Sequence, residues 1–143
     1  MMARFLINRG IAMNRLFGFI LGFSIFVVGQ AFAGDVEIVN TRFELQSSGS
    51  WHISTTLKHD DSGWDHYADA WRVVNVKGEV LGTRTLFHPH ENEQPFTRSD
   101  TVNIPEGVKI VYVEAHDKVH GWAKQRVRVD LNKAKGDRFE VIR

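Results

Sequence analysis

Histidines and carboxylates are concentrated in three short stretches of this 143-residue sequence. The stretches are 59–66, 88–95 and 116–124, and their histidines are His59, His66, His88, His90, His116 and His120. Neutral imidazole and carboxylate groups are ligands that zinc, copper(II) and nickel accept, and a tetrahedral site needs four of them. The composition of these stretches predicts a divalent-metal site, provided that the fold brings them together.

A histidine pair in the second stretch is the most specific candidate for metal binding. His88 and His90 are separated by Pro89, and on an extended backbone both rings can point toward one centre. The residues that would complete the site, as ligands or as hydrogen-bond partners of ligands, are His66, His116, His120, Asp65 and Glu93. The alternative is that these rings hydrogen-bond to loop carbonyls and to one another without a metal.

Two tryptophans in the same stretches give a second hypothesis. Trp64 and Trp122 each follow a glycine, and Tyr67 lies near the first of them. Exposed rings stack on apolar faces of sugars or peptides, while carboxylates such as Asp117 accept hydrogen bonds from hydroxyl groups. These residues are therefore also typical of a carbohydrate- or protein-recognition module with a partner in the cell envelope. The alternative is that each ring folds back over the end of the core.

The segments between these stretches have the pattern of β-strands. Short runs of apolar and polar residues alternate between turn residues, and no sustained helical period occurs after residue 33. Seven strands are predicted: 36–45, 51–58, 67–76, 80–87, 96–104, 108–115 and 125–131. The polar residues after Asn132 predict a frayed tail over 133–143.

Strand direction predicts that the three stretches meet. Antiparallel strands joined in succession place alternate connections at the same end of a sandwich. The histidine-rich stretches are the second, fourth and sixth connections, whereas the opposite connections are short and contain no histidine. We therefore expect one polar end that carries the site.

Two features resemble fibronectin type III domains. The turn Ile104-Pro105-Glu106-Gly107-Val108, followed by Ile110-Val111-Tyr112-Val113, resembles their E–F corner, and Trp71 resembles their core aromatic residue. The resemblance implies an all-β, immunoglobulin-like antiparallel sandwich over 34–132, a fold that hosts many functions. The phrases Gly63-Trp64-Asp65-His66-Tyr67 and His88-Pro89-His90-Glu91-Asn92-Glu93 also resemble small exported bacterial proteins of unknown function, which implies no activity.

The first 33 residues have the organisation of a secretory signal peptide. Met13-Asn14-Arg15 gives a charged start, an apolar run over 16–28 follows, and Ala31-Phe32-Ala33 is a small-x-small cleavage site. The apolar run is shorter than the roughly 20 residues that a membrane-spanning helix needs. Cleavage after Ala33 predicts a periplasmic or secreted domain over 34–143 with no membrane span, and Met13 is an alternative start.

Composition weighs against several classes of function. The sequence has no cysteine, so we expect no disulfide, thiolate metal site or cysteine-linked lipid. All methionines precede residue 14, which weighs against a copper(I) carrier. Removal of Arg4, Arg9 and Arg15 with the signal turns the formal charge of +1 slightly negative, which argues against nucleic acid as a partner.

Motifs of catalysis are also absent from the sequence. It contains no G-x-S-x-G, no H-E-x-x-H and no glycine-rich phosphate loop. Gly82 with His88-Pro89-His90 resembles the opening of the first cupin metal motif, but Gln94 and Pro95 stand where its glutamate is expected. The sequence therefore favours a non-enzymatic binding module.

Overall fold

The computed structural model describes residues 34–143, a part of the chain that forms ten β-strands and no helix. In chain order the strands are β1 (Glu37–Leu45), β2 (Trp51–Lys58), β3 (Ala68–Asn75), β4 (Val80–Thr85), β5 (Phe96–Val102), β6 (Ile110–Asp117), β7 (Gly121–Trp122), β8 (Val127–Asp130), β9 (Lys135–Gly136) and β10 (Phe139–Ile142). Over this range no helix is long and apolar enough to cross a membrane. The expected signal peptide, with Met13 and the cleavage site after Ala33, lies outside the described residues.

The strands form two sheets, which confirms the predicted all-β sandwich. The first sheet has the order β5-β2-β1-β10-β9 and the second has the order β4-β3-β6-β7. Strand β8 pairs with the first half of β6, along the edge that β7 occupies further on. Every pairing is antiparallel except that of β1 with β10.

Period-two alternation builds the core between the sheets. Along β2, Trp51, Ile53, Thr55 and Leu57 are buried and the residues between them are more exposed, as the sequence predicts. Trp71 from β3 is fully buried, as the resemblance implied. The polar Thr55 is tolerated there because its hydroxyl lies 3.0 Å from that of buried Thr41, so each hydroxyl has a partner.

The predicted C-terminal tail is wrong. Residues 135–136 and 139–142 form β9 and β10, and β10 lies parallel to β1 with Val141 opposite Phe43. Phe139 and Val141 are buried in the main core cluster. The sandwich therefore extends past residue 132. The last strand was not predicted because it pairs with β1 at the other end of the described chain. Alternation within a short segment carries no information about such a distant partner.

The sixth predicted strand is shifted by two residues. It was expected over 108–115 but runs over Ile110–Asp117. His116 and Asp117 therefore lie on a strand and not in the following connection. Because successive strand residues point to opposite faces, this shift separates their side chains: Asp117 is fully buried and His116 is half-buried.

Candidate functional site

The end of the sandwich where β2 finishes collects the histidine-rich connections. The backbone N–H of His59 donates to Gln94 Oε1 at 3.0 Å, which ties the connection after β2 to the one after β4. The N–H of Lys118 donates to the Tyr67 carbonyl at 3.2 Å, which ties in the connection after β6. Glu37 pairs with Lys58, so the residues before β1 start at this end as well. The predicted meeting of the three stretches is therefore present as direct contacts.

Asp61 is the centre of the hydrogen bonds at this end. Its buried carboxylate accepts the backbone N–H groups of Ala68 at 2.9 Å and His90 at 2.7 Å, and lies 2.6 Å from His59 Nδ1. A carboxylate accepts and does not donate, so these contacts place a proton on His59 Nδ1. The remaining ring nitrogen of His59, Nε2, lies 3.0 Å from the Gly34 carbonyl oxygen. Asp61 therefore sets the direction of the His59 ring.

Five side chains near His59 form a group of potential metal ligands. Ligand atoms of His59, His66 and Asp117 lie within 4.8 Å of one another, and so do those of Asp35, Asp117 and His120. The two triples share Asp117, and the His66 ring centroid lies 4.9 Å from that of His59 and 5.1 Å from that of His120. We call these five residues the Asp117 cluster. Two or three imidazoles with one or two carboxylates form a donor set that suits zinc, copper(II) or nickel.

Asp117 supplies a negative charge to this cluster although it is fully buried. Burial opposes its ionisation and is the largest single influence, but hydrogen bonds from the backbone N–H groups of His120 and Val119 and from the His120 ring outweigh it. Together they hold the pKa of Asp117 below its ordinary value. A carboxylate that stays ionised in a buried position favours a cation beside it.

His66 carries one of four buried side-chain atoms that have no hydrogen-bond partner within the described residues; the others are Trp71 Nε1, Arg84 Nε and His90 Nδ1. Its Nε2 atom is buried and makes no hydrogen bond, although it lies 3.4 Å from Asp117 Oδ1. Buried polar atoms nearly always have a partner, and an orphan of this kind is often explained by an ion or water. Among the four atoms, this nitrogen lies beside an ionised carboxylate, and two further imidazole rings flank the His66 ring, so a cation is the partner that fits the chemistry of this point.

The pair His88 and His90 lies elsewhere at this end. His88 is exposed, and His90 is buried with its ring stacked at 3.9 Å on Phe96. The two rings are 4.5 Å apart, but neither belongs to a ligand group of three among residues 34–143. Arg98 Nη2 donates to His90 Nε2 at 2.8 Å. Because a guanidinium only donates, His90 is held as the neutral tautomer with its proton on Nδ1.

The environment of His90 makes acid destabilise the fold. Burial lowers its pKa, the positive charges of Arg98 and His88 lower it further, and the carboxylates of Glu93 and Asp61 oppose them. The folded state therefore binds fewer protons at this ring than the unfolded chain does at about pH 6. The contribution of the neutral His90 ring to the free energy of unfolding is complete above 6.5, the pKa of the unfolded state. It is lost as the pH falls below 6.5 toward the folded-state pKa.

The free energy of unfolding of the wild type should decrease between about pH 7.5 and 5.5, and that of His90→Gln should decrease less, because the variant has no imidazole to protonate at this position. Urea denaturation at both pH values measures this difference, and His52→Gln, a histidine at the far end of β2, is the matched control and should keep the wild-type decrease. An unchanged decrease in His90→Gln would contradict the assignment.

His116 is separated from the Asp117 cluster by the strand that carries it. Its Nδ1 is 2.5 Å from Asp69 Oδ1, and its ring packs edge-on against Trp122 at 4.9 Å. Arg72 lies over the Trp122 ring, with its guanidinium carbon 3.7 Å from the ring centroid. This group lies on the outer face of the second sheet.

Of the other predicted site residues, Trp64, Asp65 and Glu93 are exposed at the rim of this end. Trp64 is 64% exposed and packs edge-on against buried Tyr67. It forms one wall of an open depression of about 450 Å³, which is lined by Trp64, His88, Pro89, His90, Glu91, Asn92 and Glu93. Trp122 is not among these lining residues. Asp65 is exposed, and a hydrogen bond from Arg98 lowers the pKa of Glu93.

Comparison with known proteins identifies no family. No family model matches the chain, and no solved structure matches it. The chain is 48% identical over 88 residues to a protein from Halomicrobium mukohataei that is named "Putative lipoprotein". The match covers 60% of this chain and 43% of that protein, so the chain spans less than half of the relative's length.

Sequence reasoning missed three members of the site's surroundings. His59 and Asp61 lie in the histidine-rich stretches but were not proposed as members of the site, and Asp35, which precedes those stretches, was not proposed either. The spacing His59-x-Asp61 is a usable signal, because a histidine ligand commonly gives its second ring nitrogen to a carboxylate. Asp35 gives no signal, because it precedes the first strand and meets the cluster only through the fold.

Proposed function

We propose that the protein is an exported, non-enzymatic domain that binds a divalent metal ion at the Asp117 cluster. The observation that carries the proposal is the buried, unpartnered Nε2 of His66, which lies 3.4 Å from Asp117 on a ring flanked by those of His59 and His120. Zinc, copper(II) and nickel all accept this set of imidazole and carboxylate ligands. His59 would bind through Nε2, because Asp61 occupies its Nδ1, and the metal would replace the hydrogen bond between Nε2 and the Gly34 carbonyl oxygen.

The fold that presents this site is proposed to be immunoglobulin-like in the fibronectin type III arrangement. The strand order supports it, since β1, β2 and β5 share one sheet while β3, β4, β6 and β8 share the other. Ligand sites on such sandwiches commonly lie on the loops at one end. A location in the periplasm or outside the cell is supported by the signal-like start of the sequence, and the lipoprotein name of the relative is consistent with an envelope location.

A thermal melt of residues 34–143 with chelator and then with zinc, copper(II) and nickel in turn tests the metal site. The described core lies wholly between Val36 and Val141, so this range contains it. A ligand present at 100 times its dissociation constant adds about 2.7 kcal/mol to the free energy of unfolding. For a domain of this size we expect the midpoint to rise by roughly 10 °C or more.

Two histidine variants make the melt specific for the Asp117 cluster. His66→Ala should lose the metal-dependent rise, while its midpoint in chelator stays near that of the wild type. His52→Ala should keep the rise, since His52 lies on β2 at the opposite end of the sandwich. A flat response of the wild type to all three metals would overturn the proposal.

The exposed Trp64 favours a second candidate function, recognition of a carbohydrate or a protein. Its ring stands free beside the open depression next to His88 and Asn92, where a ligand could stack on it. Trp122, the other predicted contact, packs under Arg72 and lies outside this depression. Such recognition would not depend on a metal, so a chelator separates the two functions.

A further inference from the structure

Gly34 lies against the Asp117 cluster. Its carbonyl oxygen is 3.0 Å from His59 Nε2. A β-carbon added at Gly34 would lie 2.3 Å from Cε1 and 2.6 Å from Nε2 of His120, so the Gly34 α-carbon packs directly on that ring. The next residue, Asp35, is itself one of the potential ligands. The backbone nitrogen of Gly34 is one bond, about 1.5 Å, from this α-carbon.

The chemistry of that nitrogen depends on the bond that precedes it. While Ala33 is attached, the nitrogen belongs to a peptide group whose lone pair is delocalised into the carbonyl, so it is a poor ligand. Hydrolysis of the Ala33–Gly34 bond adds one water molecule and yields the Ala33 carboxyl group and a free α-amino group on Gly34. An amine has a localised lone pair and can bind a metal as imidazole does.

We infer that the α-amino group of Gly34, freed by removal of residues 1–33, is a ligand of the metal at the Asp117 cluster. This inference rests on the proposed function and on cleavage after Ala33, which Ala31-Phe32-Ala33 predicts. The amine and the carbonyl oxygen of Gly34 can close a five-membered chelate ring on one cation, beside His59 and His120. Processing then does more than release the protein, since it completes the metal site.

The choice of glycine agrees with this role. The His120 ring occupies the space that any side chain at position 34 would need, so only glycine allows the first residue to approach the cluster so closely. An amine, imidazoles and a carboxylate make a nitrogen-rich set, which is typical of copper(II) and nickel sites. We therefore expect copper(II) to depend on the amine most strongly.

The inference is tested with three forms of the same domain. The first form begins at Gly34. The second form retains Ala33, which moves the free α-amino group one residue, about 3.8 Å, along the chain from Gly34. The third begins at Gly34 and is acetylated on its α-amino group, which removes the ligand without adding a residue. Copper(II) and zinc dissociation constants are measured by titration, and melts in chelator check that all three forms are equally folded.

We expect the second and third forms to bind copper(II) on the order of 10- to 100-fold more weakly than the first, at least the loss caused by removing an outer partner of a ligand. Equal affinity of all three forms would overturn this inference and leave the proposed metal site standing. Absence of binding in all three would overturn both. Mass spectrometry of the exported full-length chain supplies an independent check, since a first residue other than Gly34 would also overturn the inference.

Discussion

Replacement of Asp61 by alanine is expected to lower the free energy of unfolding by about 3–5 kcal/mol, the cost of breaking a buried charged contact. The carboxylate is buried and accepts the backbone N–H groups of Ala68 and His90 as well as the His59 ring. Its removal leaves these buried donors without partners, and each such group costs about 1–3 kcal/mol. Urea denaturation of the chelator-treated protein measures the loss without a contribution from metal.

Asp60 is the matched control for this variant. It is the adjacent residue, has the same charge and is exposed. Asp60→Ala should therefore change the free energy of unfolding by less than about 0.5 kcal/mol. Similar effects of the two variants would show that the connection after β2 is not organised by the Asp61 carboxylate. The same Asp61→Ala protein should also bind metal more weakly, because nothing then fixes the direction of the His59 ring.

Local alternation was sufficient to predict most strands. The predicted β2, 51–58, has the bounds of the observed strand, because Trp51, Ile53, Thr55 and Leu57 all face the core and the pattern is unbroken. The three missed strands, β7, β9 and β10, have two, two and four residues. Two residues are too few for alternation to stand out in β7 and β9, whereas β10 forms because it pairs with β1 at the other end of the described chain.

The candidate site was predictable at the level of loops and not at the level of side chains. Alternation of strand direction brought the three histidine-rich stretches to one end, and contacts such as that of His59 with Gln94 confirm it. The spacing of the histidines in the sequence does not determine which imidazole rings face one another, because strand length and packing set the direction of each ring. Extension of β6 by two residues places His116 and Asp117 on opposite faces of the sheet, and stacking on Phe96 buries the His90 ring.

Replacement of Phe139 in the last strand, β10, is the second substitution that should lower the free energy of unfolding by a large amount. Phe139 is 6% exposed and packs in the core cluster from β10, with its ring covering Gly136 of β9. Phe139→Ala should lower the free energy of unfolding by about 3–5 kcal/mol, because it removes a large buried ring and leaves a cavity between the sheets. Urea denaturation measures the loss, and the slope of the transition shows whether the variant still unfolds in one step.

Glu140 provides the control for Phe139 on the same strand. It is the next residue, points to the opposite face and is exposed, so Glu140→Ala should cost less than about 0.5 kcal/mol. A frayed tail predicts small effects for both variants, whereas a strand that closes the sandwich predicts a large difference between them. Because β10 pairs with β1, which begins two residues after Asp35, loosening of the C-terminal strand should also disturb the start of the domain. Metal affinity of Phe139→Ala should then fall together with its stability, while that of Glu140→Ala stays unchanged.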